Sequence, residues 1–259
     1  MARARTPDGP PPAPAVQKLR VRYAKRGRLR FSSTRDFQRA LERAVRRAGV
    51  PMAFSGGFHP HPRISYANAA PTGMASEAEY FELSVVERVD PASLRAALDD
   101  ALPDGLAVLE VVEAGAGSLA DRLEASDWLM EFRGMPPGEL RAAVAAFLAV
   151  DRIVVTRVFK TGPKRFDVRS AVVAMSVDSD VPMAVPVQGG PGECAILRVV
   201  VRHTTPAVRP DDVLTALRAV TEFSPPTPPR VTRLAQGPLQ TATAGVADPL
   251  AADKDADGA

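Results

Sequence analysis

The order of predicted secondary structure elements repeats once along the chain, and this repetition restricts the fold more than any other feature of the sequence. In both residues 16–115 and residues 126–235 the main elements of the hydrophobic pattern follow the order strand, helix, strand, strand, helix, strand. Strand signals are stretches in which polar and apolar residues alternate, and helix signals are apolar residues that recur every three or four positions. The chain is therefore predicted to fold as two successive copies of one structural unit.

In the first copy, the first helix has the clearest boundaries. Ser33-x-x-Asp36 resembles a capping box in which Asp replaces the usual Glu, and Gly49 followed by Pro51 ends the helical pattern. Pro91 begins the second helix. Strands are expected at 18–23, continuing over 29–31, and at 52–54, 63–66, 80–86 and 106–112.

The second copy begins with alternating apolar residues at Trp128, Met130 and Phe132. Pro136 and Pro210 begin its two helices. The remaining strands are expected at 152–159, 166–177, 195–203 and 230–234, with a loop at 160–164 and an irregular insertion at 178–193. This element order is typical of units in which helices cover one face of an antiparallel sheet. The predicted fold class is thus α+β, with two tandem ferredoxin-like (βαββαβ) units.

The remaining segments and the cysteine content indicate where such a protein works. Residues 1–15 and 236–259 contain too few apolar side chains to order themselves, so a disordered leader and a disordered acidic tail are expected. No apolar run approaches the roughly 18 residues of a membrane span, and the N-terminus lacks the apolar core of a secretory signal. Cys194 is the single cysteine, which excludes an intramolecular disulfide. These features favour a cytoplasmic protein that does not contact membranes.

The charges are segregated along the chain although the formal net charge is only +3. Residues 16–65 contain 13 basic and 2 acidic residues, whereas residues 66–146 contain 5 basic and 15 acidic ones. A general bias towards arginine does not explain this segregation, because the bias would act on both stretches. The basic stretch suits a polyanion such as RNA, unless the acidic stretch neutralises it within the fold.

Residues 56–63 form the most unusual segment of the sequence, GGFHPHPR. Gly56 and Gly57 permit backbone conformations closed to other residues, and two prolines stiffen the chain that follows. His59, His61 and Arg63 would project from this loop, where they could bind a phosphate, stack on a base or transfer a proton. Two histidines without a third ligand nearby do not predict a metal site. The alternative is a tight connection whose histidines face solvent.

The first predicted helix is a second candidate for binding. It carries Arg35, Arg39, Arg43, Arg46 and Arg47 opposite its apolar face. Such a stripe of arginines can follow a phosphate backbone, or it can simply be the solvated side of an amphipathic helix.

A third candidate is the basic segment at residues 160–169 of the second copy. Lys160 and Lys164 are placed on a loop between strands, and Asp167 could orient Lys164 or Arg169. The alternative is a solvated hairpin tip.

One apparent cofactor motif is rejected on length. Gly115-x-Gly117-x-x-Ala120 matches a dinucleotide-binding pattern, but the helix that follows would hold only about eight residues, too few for a dinucleotide-binding unit. No cofactor is therefore predicted.

Two stretches of the sequence resemble a known family. The first reads LRFSSTRDF-x-RALERA over 29–44, followed by RRAG at 46–49 and SGGFHPHPRIS at 55–65. The second consists of Lys160-x-Gly162 and Asp167-x-Arg169. In these motifs the chain resembles the radical-SAM-linked protein family, a domain of unknown function that occurs alone or fused C-terminal to a cobalamin-binding radical SAM module. The resemblance spans approximately residues 16–220.

This resemblance implies a radical SAM enzyme as the partner. The chain lacks the three cysteines that hold a radical SAM cluster, so it would be an auxiliary protein rather than the radical enzyme itself. In outline, the predicted tandem arrangement with a glycine-rich segment and a basic helix is also similar to RAMP-type RNA-processing proteins, which is an analogy at the level of the fold.

Three functional hypotheses follow. The first is a non-catalytic auxiliary module that recognises transfer RNA, ribosomal RNA or another polyanion for a radical SAM partner enzyme. The residues expected to bind this substrate are Arg35, Arg39, Arg43, Arg46, Gly56, Gly57, His59, His61, Arg63, Lys160, Lys164, Asp167 and Arg169. The second is a metal-independent endoribonuclease in which His59 or His61 is the general acid or base and Lys160 or Lys164 stabilises the phosphorane. The third is a protein-interaction scaffold that binds no nucleic acid. No sequence feature demands catalysis, so a non-catalytic role is favoured.

Overall fold

The fold is known from a computed structural model that describes residues 12–178 and 194–254. The chain forms two compact units, of which the first comprises residues up to Asp121 together with the segment from Pro249, and the second comprises Arg122–Asp248. Within the described residues there are six α-helices, and the paired strands run antiparallel in both units. The predicted α+β class is confirmed.

The first unit contains four main strands and two long helices. In chain order these are β1 (Gln17–Lys25), α1 (Thr34–Arg47), β2 (Ile64–Ala67), β3 (Ala75–Val85), α2 (Pro91–Ala101) and β4 (Leu106–Glu113). The strands lie in the order β4-β1-β3-β2, and each neighbouring pair is antiparallel. Short helices α3 (Leu119–Arg122) and α6 (Ala251–Lys254) complete the described helices outside the second unit's core.

The core of the first unit lies between its sheet and the two long helices. Leu19 and Phe81 from the sheet and Leu41 and Leu98 from the helices have no exposed surface. The rings of Tyr23 on β1 and Phe37 on α1 are stacked, with 4.2 Å between centroids. The alternating pattern of β1 and the helical spacing of α1 therefore meet in one apolar layer.

The capping box predicted at the start of α1 is confirmed. The Ser33 hydroxyl accepts a hydrogen bond from the Asp36 N–H at 3.2 Å, and the Asp36 carboxylate accepts one from the Ser33 N–H at 3.1 Å. At the other end, Gly49 adopts a φ of 63° immediately after the C-cap residue Ala48. Both ends of the helix are thus set by residues within its own sequence.

Two strand predictions in the first unit are wrong. Residues 29–31 belong to a 3-10 helix over Gly27–Phe31, because Gly27 turns the chain with a φ of 55° and the Arg26 carbonyl accepts the Leu29 N–H at 3.1 Å. Residues 52–54 form only isolated bridges, from Met52 and from Phe54. The remaining strands and both helices lie within a few residues of their predicted positions.

The second unit has the same order of elements in its main sheet, with one hairpin inserted. Its elements are β5 (Ala125–Arg133), α4 (Pro137–Leu148), β6 (Val154–Phe159), β7 (Gly162–Asp167), β8 (Val172–Asp178), β9 (Cys194–Arg202), α5 (Pro210–Val220), β10 (Arg230–Gly237), β11 (Leu239–Gln240) and β12 (Gly245–Val246). The main strands lie in the order β10-β5-β9-β8. Phe132, Leu140, Phe147 and Leu217 are fully buried between this sheet and its helices.

The strand predicted at 152–159 does not join the main sheet. It forms β6, which pairs with β7 in a separate two-stranded sheet that includes most of the predicted loop at 160–164. The strand predicted at 166–177 is interrupted, because the Asp167 carboxylate accepts the backbone N–H groups of Ile153 and Arg169 and turns the chain into a 3-10 helix at Arg169–Ala171. Of the insertion predicted at 178–193, residues 179–193 lie outside the described part of the chain.

The termini differ from each other. Of the expected disordered leader, residues 1–11 lie outside the described residues, and 12–15 are exposed and without regular structure. The expected disordered tail instead contains the end of β10, β11, β12 and α6 up to Lys254, and it buries Leu250 and Asp253. Asp253 accepts hydrogen bonds from the Arg20 guanidinium at 2.6 Å and from the Gly115 N–H at 3.0 Å. These specific partners, rather than the average composition, order the segment.

Candidate functional site

The arginines of α1 are exposed, as the amphipathic pattern predicts. Arg35, Arg39 and Arg46 are spaced by four and seven residues, so they lie within about 40° of one another around the helix axis. Arg43 is exposed further round the helix, and Arg47 reaches towards α2, where its guanidinium donates to the Ala101 carbonyl at 3.4 Å. We call Arg35, Arg39 and Arg46 the arginine row.

The loop at residues 52–63 is held at its base and exposed at its tip. The Ala53 N–H donates to the Ser84 carbonyl on β3, and the Arg63 N–H donates to the Ala53 carbonyl, both at 2.8 Å. Nearer the tip, the Ser55 N–H donates to the His61 carbonyl at 2.9 Å, and the His61 N–H returns a bond to the Ser55 hydroxyl at 3.0 Å. The loop is therefore a hairpin-like projection from β3.

The exposed tip contains the glycines and one of the two loop histidines. Gly57 has a φ of 115°, which favours glycine, and no atom lies within 4 Å of the Cβ that another residue would add there. Gly56, His59 and Pro60 are exposed, as is Arg63 beyond the hairpin. The backbone conformation at Gly57 thus depends on glycine for its dihedral angle rather than for space.

The loop and α1 enclose a groove of about 320 Å³, which we call the α1 groove. Glu42, Arg46 and His61 provide its polar groups. Its apolar lining consists of Val45, Val50, Met52, Phe54, Pro60 and Pro62. The structure thereby brings together Arg46 and His61, which belong to two separate candidate sites in the sequence.

The exposed aromatic rings of the first unit were not predicted from the sequence. Phe54 is 43% exposed within the α1 groove, and Phe58 is 61% exposed at the loop tip. Phe31, 58% exposed, lies before α1 and is already stacked with the Arg30 guanidinium at 4.4 Å. The motif offered a signal for Phe58, because an apolar residue between glycine and histidine on a turn has no core to enter.

The second unit contains the other basic candidates, on the β6–β7 hairpin. Lys160 lies in the exposed turn, and the Lys164 ammonium is 5.4 Å from the centroid of the Phe159 ring. Arg157 stacks with Phe159 and Phe166 and is ion-paired with Asp212 at the start of α5. This hairpin therefore combines cations and aromatic rings on one surface.

Asp167 and Arg169 have structural roles in the second unit. Asp167 contacts Arg169 through the backbone N–H, at 3.1 Å, as part of the turn described above. The Arg169 guanidinium donates to the Val172 carbonyl at 3.3 Å and lies 5.9 Å from the Phe147 ring. Both side chains are half-buried and contribute to the packing of the unit.

A third histidine, His203, has the most extensive contacts and was not singled out from the sequence. Its Nδ1 donates to the Leu123 carbonyl and its Nε2 accepts from the Ser126 hydroxyl, each at 2.7 Å. Burial lowers the pKa of His203, and the nearby Arg233 adds to this effect. Ser126 is only 1% exposed and His203 is half-buried, so the pair contributes to the packing of the second unit.

The described residues contain no group of three or more His, Cys, Asp or Glu side chains placed to hold a metal ion. Along that same part of the chain, none of the helices has the length and apolar character needed to cross a membrane.

Tyr66 contacts the core of the first unit beside Phe37. Burial raises the pKa of Tyr66 to about 12, and the charge of Glu42 adds a smaller effect in the same direction.

The chain can be compared with known proteins on this basis. A family described as an uncharacterized protein conserved in bacteria (DUF2344) matches residues 18–210, which include both α1 and the loop. The chain belongs to this family. No curated protein matches the sequence of this DUF2344 member. A crystal structure of an unknown protein from Galdieria sulphuraria is 14% identical and covers 80% of this chain and 92% of that chain, with a TM-score of 0.24.

Proposed function

We propose that this DUF2344 protein is a non-catalytic auxiliary module that binds RNA at the α1 groove and acts in the cytoplasm with a radical SAM partner enzyme. The observation that carries the proposal is the arginine row, which is exposed beside a groove containing His61 and an exposed aromatic ring. The radical SAM partner comes from the sequence resemblance alone. The enzyme would supply the chemistry, and this chain would hold the substrate.

The charge of the arginine row is available to a ligand. Glu82 and Glu77 of the first unit pair away from α1, Glu82 with Lys18 and Arg20 and Glu77 with Arg26, whereas Glu42 lies on α1 and lines the groove with Arg46. Asp36, at the start of α1, is engaged by Ser33 in the capping box, and its pKa is lowered mainly by those hydrogen bonds and to a smaller extent by the nearby charges of Arg39 and Arg35. The acidic stretch therefore neutralises β1 and its surroundings and leaves the arginines of α1 exposed.

The strand order supports the interpretation of each unit as ferredoxin-like. In both units the strand that ends the unit lies beside the first strand, and the third main strand lies on the first strand's other side. This is the order expected of a ferredoxin-like sheet built from a split βαβ arrangement. We interpret the two units as tandem ferredoxin-like units, of which the second carries the β6–β7 hairpin as an insertion.

The first prediction concerns the arginine row. Replacing Arg35, Arg39 and Arg46 together by Gln should weaken the binding of transfer RNA and of ribosomal RNA fragments. It should also make the plot of the logarithm of the binding constant against the logarithm of the salt concentration shallower by about 2 to 3, because each phosphate contact contributes about 0.7 to 0.9 to that slope. The measurement is filter binding at several salt concentrations. The matched control removes the same charge from exposed positions on other helices, through Arg95, Arg141 and Arg218 to Gln.

Two results would contradict the proposal. Equal losses in the two triple variants would show that only the net charge attracts RNA. Absence of RNA binding by the unmodified protein, together with capture of a radical SAM enzyme that survives nuclease treatment, would support the scaffold hypothesis instead.

The endoribonuclease hypothesis has one observation in its favour, which is that His61 and Arg46 line the same groove. An imidazole beside a guanidinium can transfer a proton near a bound phosphate. Lys160 and Lys164, which this hypothesis assigns to stabilising the phosphorane, lie in the second unit. Incubation of the purified protein with RNA in EDTA tests the hypothesis, since RNA that stays intact excludes metal-independent cleavage. If the RNA is cleaved, a His61→Gln variant shows whether His61 is responsible.

A further inference from the structure

The α1 groove differs from a purely electrostatic surface because it joins cations to an open aromatic ring. A basic helix alone would hold any polyanion, including a duplex, through its phosphates. Phe54 adds a π-face within the groove, next to Arg46 and His61. The chemistry of this ring decides which class of polyanion fits.

Within the described chain, no aromatic ring or cation stacks on Phe54. Phe31, the comparable exposed ring of the same unit, has its face covered by the Arg30 guanidinium. Phe37, Tyr66 and Phe81 pack against one another in the core. Phe54 takes part in none of these ring contacts, and its backbone forms a bridge with Pro62. The exposed part of its ring is therefore accessible for stacking.

From this geometry we infer that the α1 groove binds single-stranded RNA, with an unpaired base stacked on Phe54 and the adjoining phosphates on the arginine row. The inference rests on the proposed function and names its substrate class. In a duplex, both faces of each base are covered by neighbouring base pairs, so Phe54 would contact nothing but the sugar–phosphate edge. An unpaired base exposes both faces and can stack on an aromatic ring.

The polar groups of the groove support the same orientation. Glu42 carries a negative charge inside the groove and repels a phosphate placed beside it. A base, which has N–H donors on its edge, can instead donate to that carboxylate. The phosphates are then expected to follow Arg39 and Arg35 along the helix. α1 has 14 residues and is about 21 Å long, which suits a segment of about four nucleotides, at the lower end of single-strand site sizes.

The test measures fluorescence anisotropy with three probes. These are a labelled 12-nucleotide single-stranded RNA, the same sequence as a duplex, and labelled inorganic polyphosphate as a polyanion without bases. We expect the single strand to bind at least tenfold more tightly than the duplex. Phe54→Leu, which keeps an apolar side chain and removes the ring, should weaken binding of the single strand about tenfold, within the range for loss of one base–aromatic stack, and leave polyphosphate unchanged.

Two matched variants keep the test decisive. Phe54→Trp retains a larger ring and should preserve single-strand binding, and Phe31→Leu removes an exposed ring that is already stacked and should have no effect. Thermal unfolding of each variant identifies any loss of folding. If Phe54→Leu does not fold, the affinities of Phe54→Trp and of the unmodified protein for the single strand and the duplex are compared instead. Equal affinity for duplex and single strand, or no effect of Phe54→Leu, would overturn the inference while leaving RNA binding intact. Failure of all three probes to bind would instead overturn the proposed function.

Discussion

Arg20 shows how a residue that looks exposed from the sequence can be fully buried. It lies on β1 and has no exposed surface. Its guanidinium donates to Glu82 at 3.0 Å, to Asp253 at 2.6 Å and to the Gly117 carbonyl at 2.5 Å. The alternation of polar and apolar residues in β1 assigned it to a solvated face, and the segment around Asp253 covers that face.

The second prediction concerns His203, whose pKa is lowered mainly by burial and further by Arg233. The folded state favours the neutral ring, so its contribution to stability is complete above the ordinary histidine pKa of about 6.5 and is lost as the pH falls from that value through the lower pKa of the folded state. The free energy of unfolding should therefore decrease between pH 7.5 and pH 5. Denaturant unfolding of the protein and of His203→Gln checks this.

His203→Gln removes the titrating group and keeps a side chain that can form hydrogen bonds. We expect it to be less stable than the unmodified protein at pH 7.5 and to show a shallower decrease towards pH 5. The same slope in both proteins would show that other groups cause the acid destabilisation. Burial raises the pKa of Glu82, but Lys18 and Arg20 lower it by more, so the net shift is downward. The stability that Glu82 contributes is lost only below about pH 4.5, which separates its effect from that of His203.

At the scale of elements, α1 is the one whose boundaries are most completely explained by nearby residues. Its start depends on a capping box between residues three apart, and its end depends on a glycine with positive φ. The hairpin of β6 and β7 is the opposite case. Its β-branched strand reads like one from the main sheet, and only its pairing with β7 assigns it to a separate sheet.

The third prediction tests the end of α1. Gly49→Ala should lower the free energy of unfolding by about 1 kcal/mol, because a side chain disfavours the positive φ even though no atom lies within 4 Å of the added Cβ. Gly138→Ala is the matched control, since Gly138 lies in α4 with equally open space and no positive φ, and it should be about 0.5 kcal/mol more stable. Chemical denaturation measures both. Changes of the same sign would contradict the role of the φ angle.

At the scale of the whole molecule, the segment from Pro249 returns to the first unit after the chain has passed through the second. Asp253 and Arg20 are 233 residues apart in the sequence, and both side chains are fully buried. Gly115 permits this contact, because a Cβ there would lie 2.9 Å from the Asp253 carboxylate. The glycine that resembled part of a dinucleotide motif therefore serves the close approach of the C-terminal segment.

The fourth prediction is that this segment stabilises the first unit. A chain ending at Asp248 loses the Asp253–Arg20 ion pair and the buried side chain of Leu250, and burial of one leucine alone contributes about 2 to 3 kcal/mol. Hydrogen exchange should become faster in β1 and β4 while β9 of the second unit keeps its protection. A chain ending at Lys254 is the control. Equal loss of protection in β1 and β9 would show that the two units unfold together.

The sequence by itself determined the α+β class, the order of the main strands and long helices, the ends of α1 and the exposure of its arginines. These features depend on periodicity and capping, which involve residues only a few positions apart. Only the tertiary structure decided the burial of Arg20 by Asp253, the separate β6–β7 sheet and the meeting of Arg46, His61 and Phe54 in one groove. Such contacts join residues that are distant in sequence, and no local pattern specifies which distant partner each side chain meets.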